Sequence, residues 1–159
     1  YEEGSFLYRN TGDGRIEDLS TRVGPDLQVA GAWRGVAVAD LDNDGALEIA
    51  VSRLNGPAAL FVRKGGPRHS WVLLDLEGRR SNRDGLGARV RVRLPSGRTL
   101  HGHATTANGI YSASDRRVHF GLGKETAIAA IEISWPSGIV QRLENPPVNR
   151  VLHVAEAAP

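Results

Sequence analysis

The sequence predicts an all-β protein, because three observations agree. Apolar and polar residues alternate along much of the chain, most clearly in the segment 88–94, where three arginines are interleaved with apolar residues. Turn-forming Gly, Pro and Asn residues separate such segments at short intervals. Helical periodicity is nearly absent from the chain. The fold class expected is therefore a set of short antiparallel strands joined by tight turns.

Six strands can be placed in chain order. One strand over residues 35–39 enters an acidic loop, and a second over residues 48–52 leaves it. Four more are predicted from their alternation of apolar and polar residues: 71–76, 88–94, 130–135 and 151–154. The turns between them are marked by Asn55-Gly-Pro57, Gly65-Gly-Pro67, Pro95-Ser-Gly97, Asn108-Gly109, Pro136-Ser-Gly138 and Asn145-Pro-Pro147.

A domain boundary is predicted at Gly65-Gly66-Pro67, where the balance of charge changes sign. Residues 1–66 contain 7 Lys/Arg and 10 Asp/Glu, a net charge of −3, whereas residues 67–159 contain 13 and 8, a net charge of +5. This predicts two domains, an acidic one suited to cations and a basic one that could meet anionic surfaces. Arginines that alternate outward on strands are, however, also typical of an ordinary solvated strand face.

The composition excludes several classes of protein. With no cysteine, the chain has no disulfide, no thiolate metal site and no cysteine nucleophile. No apolar run approaches the roughly 20 residues of a membrane-spanning helix. The first residues lack the features of a signal peptide and the chain has no Met, so we expect a processed or excised piece of a larger protein.

The segment Asp40-Leu-Asp-Asn-Asp-Gly-Ala-Leu-Glu48 predicts a calcium-binding loop between two strands. Calcium takes six to eight oxygen ligands, which alternating carboxylates can supply while a glycine provides the sharp turn. An EF-hand would place its closing glutamate at the twelfth position, where Val51 stands, so Glu48 must close this loop. Magnesium fits less well because it demands rigid octahedral geometry. The predicted ligands are the side chains of Asp40, Asp42, Asp44 and Glu48 and the carbonyl oxygen of Ala46.

Two family resemblances follow from these motifs. Segments 7–14 and 34–45 resemble the FG-GAP/VCBS repeat of integrin-like β-propellers, whose blades carry a calcium loop of the form DxDxDGxxD. Segments 78–90, 112–123 and 135–138 look like the ASPIC/UnbV domain of the cartilage acidic protein family and its bacterial relatives. The order found in this chain is the order of that family.

The resemblance implies a fold, a cofactor and a location. It implies a calcium-binding hairpin like a propeller blade in residues 1–66, followed by an antiparallel β-sandwich or barrel-like domain in residues 67–159. About one repeat is visible, so the chain cannot close a propeller alone. It also implies Ca²⁺ in a structural role, and a secreted, periplasmic or cell-surface protein that engages in adhesion.

We therefore expect a calcium-binding scaffold or adhesion fragment that binds a protein or a glycan, without catalytic residues. The alternative is the terminal part of a propeller-containing enzyme of secondary metabolism, for which a cleft lined by His101, His103 or His119 would be needed. Nucleic-acid binding is disfavoured, because few of the nine aromatic residues lie near the basic strands.

The remaining candidate sites have simpler explanations. A Ser-His-Asp constellation can be assembled on paper, but no G-x-S-x-G motif supports it and a serine-rich turn explains the same residues. His101 and His103 would face the same way on a strand, yet no third metal ligand is evident. Gly85-Leu-Gly87 and Gly121-Leu-Gly123 are expected to be bulges and turns. The residues of the Ser-His-Asp constellation considered above are Ser112, Ser114, Asp115, His119 and Asp84.

Overall fold

The computed structural model describes residues 2–63 and 69–158. Within these ranges the chain is all-β, as predicted, with twelve strands, no α-helix and one 3-10 turn at Pro25–Gln28. The predicted domain boundary at Gly65-Gly66-Pro67 lies outside the described residues. The division into residues 1–66 and 67–159 consequently stays a prediction.

The six predicted strands all occur, with ends shifted by at most two residues. Of the other six, three have only three residues each and two have mostly polar sequences, whereas the strand Val118–Gly123 alternates regularly and was not predicted. In chain order the strands are β1 (Tyr8–Asn10), β2 (Ile16–Asp18), β3 (Trp33–Ala39), β4 (Glu48–Arg53), β5 (Ala59–Phe61), β6 (Ser70–Glu77), β7 (Arg89–Arg93), β8 (Thr99–His103), β9 (Val118–Gly123), β10 (Ala130–Ser134), β11 (Val140–Glu144) and β12 (Arg150–Ala155).

The first part of the chain is a hairpin and a three-stranded meander. β1 pairs with β2, and β3, β4 and β5 form an antiparallel sheet in that order. Among the described residues of this part, Val51 is the one buried apolar side chain. Several large apolar side chains are more than half exposed: Phe6, Tyr8, Ile16, Leu41, Leu54, Leu60 and Val62. This part therefore has little core of its own.

The second part is a β-sandwich, which confirms the predicted fold class. Its two sheets have the strand orders β11-β10-β7-β8 and β12-β6-β9. Their inner faces share one apolar core, in which each sheet contributes alternate residues. The core includes Val72, Leu74 and Leu76 of β6, Val90 and Val92 of β7, Val118, Phe120 and Leu122 of β9, and Ile131 and Ile133 of β10.

One strand pair differs from the antiparallel arrangement expected. β12 runs parallel to β6, with Leu152 opposite Leu74. A parallel pair needs a long crossover connection rather than a hairpin. The chain between β6 and β12 supplies it by passing through the opposite sheet before returning.

The second part of the chain covers the free edge of β3. The backbone N–H groups of Val36 and Val38 donate to the hydroxyls of Ser112 (2.9 Å) and Ser114 (3.1 Å). The backbone N–H of Asp115 donates to the carbonyl of Val38 at 3.1 Å. An open strand edge exposes backbone groups that otherwise pair with other chains, so these contacts both protect the edge and join the two parts.

Candidate metal centre

The acidic loop connects β3 to β4, and strand pairing brings its two ends together. Asp40 directly follows β3 and Glu48 is the first residue of β4, where it lies opposite Ala39. Both carboxylates are buried, with 1% and 6% of their residue surface exposed, whereas Asp42 between them is exposed. A buried carboxylate requires partners, so the contacts of these two groups decide what the loop can do.

Backbone N–H groups of the loop point at its own carboxylates. Asp40 accepts hydrogen bonds from the N–H of Asp44 at 3.1 Å and from that of Gly45 at 3.0 Å. Glu48 accepts one from the N–H of Leu41 at 2.8 Å. These bonds fix the orientation of both buried carboxylates before any ligand arrives.

Three of the predicted ligands lie close enough together to share one ion. Asp40, Asp42 and Glu48 each offer a carboxylate oxygen, and these oxygens all lie within 4.8 Å of one another. Oxygens that surround a calcium ion at about 2.4 Å can be at most twice that distance apart, so the spacing fits. A donor set of oxygen alone favours a hard cation. Within the described residues this is the one acidic cluster of that kind.

The other two predicted ligands are placed differently. Asp44 stands outside the three-carboxylate cluster, and its Oδ1 accepts a hydrogen bond from the N–H of Ala46 at 2.7 Å. That bond orders the turn that contains Ala46. Ligation by Asp44 and by the Ala46 carbonyl stays a prediction.

Arg117 holds the loop from the side of the sandwich. It lies just before β9, and its guanidinium donates to the side chain of Asn43 at 2.6 Å and to the carbonyl of Asp40 at 2.8 Å. Asp115 orients that guanidinium by accepting from its Nε at 2.7 Å. Burial raises the pKa of the Asp115 carboxyl, but the hydrogen bonds and the charge of Arg117 outweigh burial, so its pKa lies below the ordinary value.

His119 and Trp71 complete the surface of the sandwich against which the acidic loop packs. We call this surface, formed by Arg117, His119 and Trp71, the seat of the loop. Nε2 of His119, on β9, lies 3.0 Å from the carbonyl oxygen of Gly45. The imidazole stacks on the indole of Trp71, with ring centroids 6.4 Å apart and planes within 13°. A Cβ atom on Gly45 would overlap that indole, so only glycine fits. Gly45 also has a φ of 91°, which side chains rarely tolerate.

The contacts that these three residues make with the loop cannot be predicted from the sequence of the loop itself. Alternation on β9 indicates that residue 119 faces away from the core, and that is the one signal available for it. Nothing in the sequence says that another segment covers this outward face. The buried Trp71 was predicted simply as the start of a strand.

The structure separates the residues of the hypothetical Ser-His-Asp constellation. The hydroxyls of Ser112 and Ser114 bond the backbone of β3, His119 faces Gly45, and Asp115 pairs with Arg117. Asp84 lies near Arg116, at 3.9 Å. Within the described residues no hydrogen bond joins a serine hydroxyl to a histidine.

His101 and His103 are both exposed on the same side of β8, as predicted, and the described residues supply no third acidic or histidine ligand to them. The glycine-rich segments are turns and a strand end rather than a phosphate-binding loop. Gly85, Gly87 and Gly123 have positive φ angles, the backbone signature of such turns.

A second buried carboxylate, Glu156, joins three separate segments of the sandwich. It is fully buried, and one oxygen accepts hydrogen bonds of 2.8 Å from three consecutive backbone N–H groups, those of residues 79–81. Its other oxygen accepts from the hydroxyls of Ser81 and Ser137. Burial raises the pKa of Glu156, but these hydrogen bonds prevail and lower it to about 2.

Comparison with known proteins gives two family matches. The family described as "ASPIC and UnbV" matches residues 78–159, and the FG-GAP-like repeat matches residues 1–51. Neither description names a catalytic activity. Among the described residues, no helix is long and apolar enough to cross a lipid bilayer.

Curated relatives share the name cartilage acidic protein 1. The protein of Homo sapiens is 26% identical over 153 residues, which is 93% of this chain and 22% of the relative. The protein of Mus musculus is also 26% identical over 93% of this chain and 23% of its own length. The protein of Xenopus tropicalis is 41% identical over 59 residues, 37% of this chain and 9% of the relative. The chain thus spans less than a quarter of the length of these relatives.

Proposed function

The chain belongs to the ASPIC and UnbV family, and we propose that it is a calcium-stabilised binding module of an extracellular protein. The resemblance to that family and to the FG-GAP repeat is confirmed in both halves of the chain. The observation that carries the proposal is the acidic loop seated on Arg117 and His119, because it joins a cation site to the domain that follows.

The residues that would hold the ion are those of the loop. Asp40, Asp42 and Glu48 are already gathered, and Asp44 and the Ala46 carbonyl would complete a set of oxygen ligands. A bound Ca²⁺ supplies positive charge that offsets the mutual repulsion of these carboxylates. The loop residues in turn present the backbone carbonyls that Arg117 and His119 contact, so a fixed loop fixes the second part against the first.

The partner we propose is an extracellular protein or glycan. Support comes from the curated relatives, whose name refers to cartilage, a tissue that consists largely of extracellular matrix. We extend that location to this chain as secreted, periplasmic or cell-surface.

The competing interpretation, a terminal piece of an enzyme, requires histidines in a cleft. The structure instead places His119 against the Gly45 carbonyl, and it places His101 and His103 in the lining of a shallow, open concavity of the sheet rather than in a deep cleft. No specific observation favours catalysis by the described residues, and the chain's contribution is best explained by binding.

Calcium titration tests the proposal. After treatment with a chelator, the chain should release or absorb heat on addition of CaCl₂, and its melting temperature should rise. Binding to the folded state alone at 100 times the Kd stabilises by about 2.7 kcal/mol, which corresponds to roughly 5–10 °C for a chain of this size. The Asp42→Ala variant should lose most of the effect.

Asp26→Ala is the matched control, since it removes an exposed aspartate of the same part of the chain outside the loop. It should bind calcium as the parent does. The proposal is wrong if the parent shows neither heat nor a rise in melting temperature at millimolar calcium, or if Asp42→Ala binds as tightly as the parent.

A further inference from the structure

The outward side of the four-stranded sheet carries a cationic surface. β7 is a central strand of that sheet, and its valines, Val90 and Val92, point into the core. The alternating residues Arg89, Arg91 and Arg93 therefore all point outward and are exposed. Alternate residues of a strand are about 6.8 Å apart, so the three guanidinium groups form a row along the sheet.

The neighbouring strand extends the row with two histidines. The antiparallel register places His103 opposite Arg89 and His101 opposite Arg91, on the same outward side. Partners in adjacent strands lie about 5 Å apart, so each histidine stands beside an arginine. We call the surface formed by Arg89, Arg91, Arg93, His101 and His103 the arginine face.

Charge on the arginine face is only partly neutralised. Glu132 on β10 pairs with Arg91. The side chains of Arg89 and Arg93 form no hydrogen bond or ion pair within residues 2–63 and 69–158. The carboxylates of this sheet, Glu132 and Glu144, both lie on the β10 and β11 side. The β7 and β8 side is left positive.

Two adjoining concavities run across this surface. The larger, of ≈ 520 Å³, lies between β7 and β8 and has Arg89, Arg91, His101, His103 and Ser134 in its lining, with no carboxylate and no Phe, Tyr or Trp. The smaller, of ≈ 110 Å³, continues along the strands and shares Arg91 with it. Together they form an open, shallow track whose polar lining consists mainly of hydrogen-bond donors, with one carboxylate, that of Glu132, in the smaller concavity, where it pairs with Arg91.

We propose that the arginine face binds a sulfated polysaccharide. Planar guanidinium groups donate two parallel hydrogen bonds to tetrahedral oxyanions such as sulfate, and a row of them suits a linear chain of such groups. The proposal rests on the proposed extracellular function and names the partner class of that module. The arginine face lies on the four-stranded sheet, whereas the acidic loop packs against the three-stranded sheet. An experiment can therefore contradict one of the two proposals without contradicting the other.

The lining of the track favours this partner over two others. Binding of single-stranded nucleic acid relies on aromatic side chains that stack on bases, and the track contains none of them. A protein interface of ordinary affinity has an apolar centre, whereas the outward residues of β7 and β8 are charged or polar. A flexible polyanion needs neither feature.

The experiment uses the full chain and heparin as the sulfated probe, with heparin that has been desulfated but keeps its carboxylates for comparison. Heparin should bind in chelator as well as in calcium, and desulfated heparin should bind at least about tenfold more weakly, because it has lost the sulfate groups and with them most of its negative charge. The slope of log affinity against log salt should be negative, as for other polyanions.

The Arg89→Gln/Arg93→Gln double variant tests the site, since these two arginines have no ion pair to disturb. Its affinity for heparin should fall about tenfold or more, and the salt slope should shrink by about one to two. The Arg89→Lys/Arg93→Lys variant keeps the charge without the planar fork and should show an intermediate loss. The matched control Arg9→Gln/Arg34→Gln removes two exposed charges from the first part of the chain.

The proposal stands if heparin binds, sulfation is required and only the substitutions on the arginine face weaken binding. It is overturned if heparin does not bind at physiological salt, if desulfated heparin binds equally, or if both double variants weaken binding to the same extent. Tighter binding of a single-stranded DNA of equal charge would also overturn it, since the face would then be a nucleic-acid site.

Discussion

Among single residues, Glu156 makes the clearest prediction about pH. Its pKa is lowered from 4.5 to about 2 by the hydrogen bonds that it accepts from residues 79–81 and from Ser137. A carboxylate with a lowered pKa in the folded state contributes stability that is fully present above its unfolded pKa. That contribution should therefore be lost as the pH falls from about 4.5 to about 2.

The measurement is the free energy of unfolding of the parent and of Glu156→Gln between pH 7 and pH 2. The variant should be less stable at pH 7, because a neutral amide oxygen accepts from the three backbone N–H groups more weakly than a carboxylate does, and the amide nitrogen cannot accept from the hydroxyls of Ser81 and Ser137. Its stability should also fall less steeply below pH 4.5. Glu144→Gln, on the exposed side of β11, is the control and should behave like the parent. Equal acid sensitivity of parent and Glu156→Gln would contradict the role assigned to this carboxylate.

Gly45 makes a second prediction, since two separate constraints act on it. Its φ of 91° costs an alanine roughly 1–2 kcal/mol, and a Cβ atom there would also overlap the indole of Trp71. Gly12 has a φ of 88°, but no atom lies within 4 Å of the position that its Cβ atom would take, so Gly12→Ala carries the first cost alone.

Denaturant unfolding of Gly45→Ala and Gly12→Ala separates these costs. Gly45→Ala should lose more free energy of unfolding than Gly12→Ala by at least about 1 kcal/mol, as is usual when a close-packed contact is overfilled. Its affinity for calcium should also fall, since the displaced loop carries the carboxylates. Identical losses in the two variants would show that the loop is not seated on Trp71.

At the scale of the elements, most strands with regular alternation could be predicted, β9 being the exception, and the short or polar strands could not. β7 has a valine or an arginine at every position, so both its existence and its faces follow from the pattern. β8 places Gly102 between two histidines and gives little apolar signal. Its inward glycine is explained by Phe120 and Val118, which leave no room for a side chain there. That reason is tertiary and cannot be read from β8 itself.

The parallel pairing of β12 with β6 likewise has a tertiary cause that the local sequence does not contain. The apolar residues of β12 predict a strand, but the direction of its partner depends on the path of the chain through the other sheet. Local sequence carries no information on that path. The prediction of an antiparallel sandwich was therefore right for most strand pairs and wrong for this one.

The candidate metal centre shows the same division between local and tertiary information. Spacing along the loop predicts the carboxylates of Asp40, Asp42 and Glu48, and the structure gathers these three. The seat formed by Arg117, His119 and Trp71 comes from the other half of the chain, so its assignment needs the packing of the two parts. The role of Glu156 could not be predicted for a related reason, because its hydrogen-bond partners lie in turns that are distant in sequence.

At the scale of the whole molecule, the two parts differ in how much apolar surface they bury. Of the buried apolar side chains in the described residues, Val51 alone belongs to the first part, and the rest lie between Trp71 and Val154. The first part is joined to the second through the edge of β3 and through the acidic loop. Its stability should therefore depend on the second part, whereas the reverse dependence should be weak.

Two fragments divided at the predicted boundary test this asymmetry. The fragment of residues 67–159 contains the sandwich core, and we expect it to unfold in one cooperative transition on heating. The fragment of residues 1–66 should show no cooperative transition, because a hairpin and a three-stranded meander with one buried apolar side chain cannot offset the entropy of folding. Circular dichroism at increasing temperature measures both. If calcium alone makes the first fragment fold cooperatively, then the acidic loop, rather than its seat on the sandwich, organises this part of the chain.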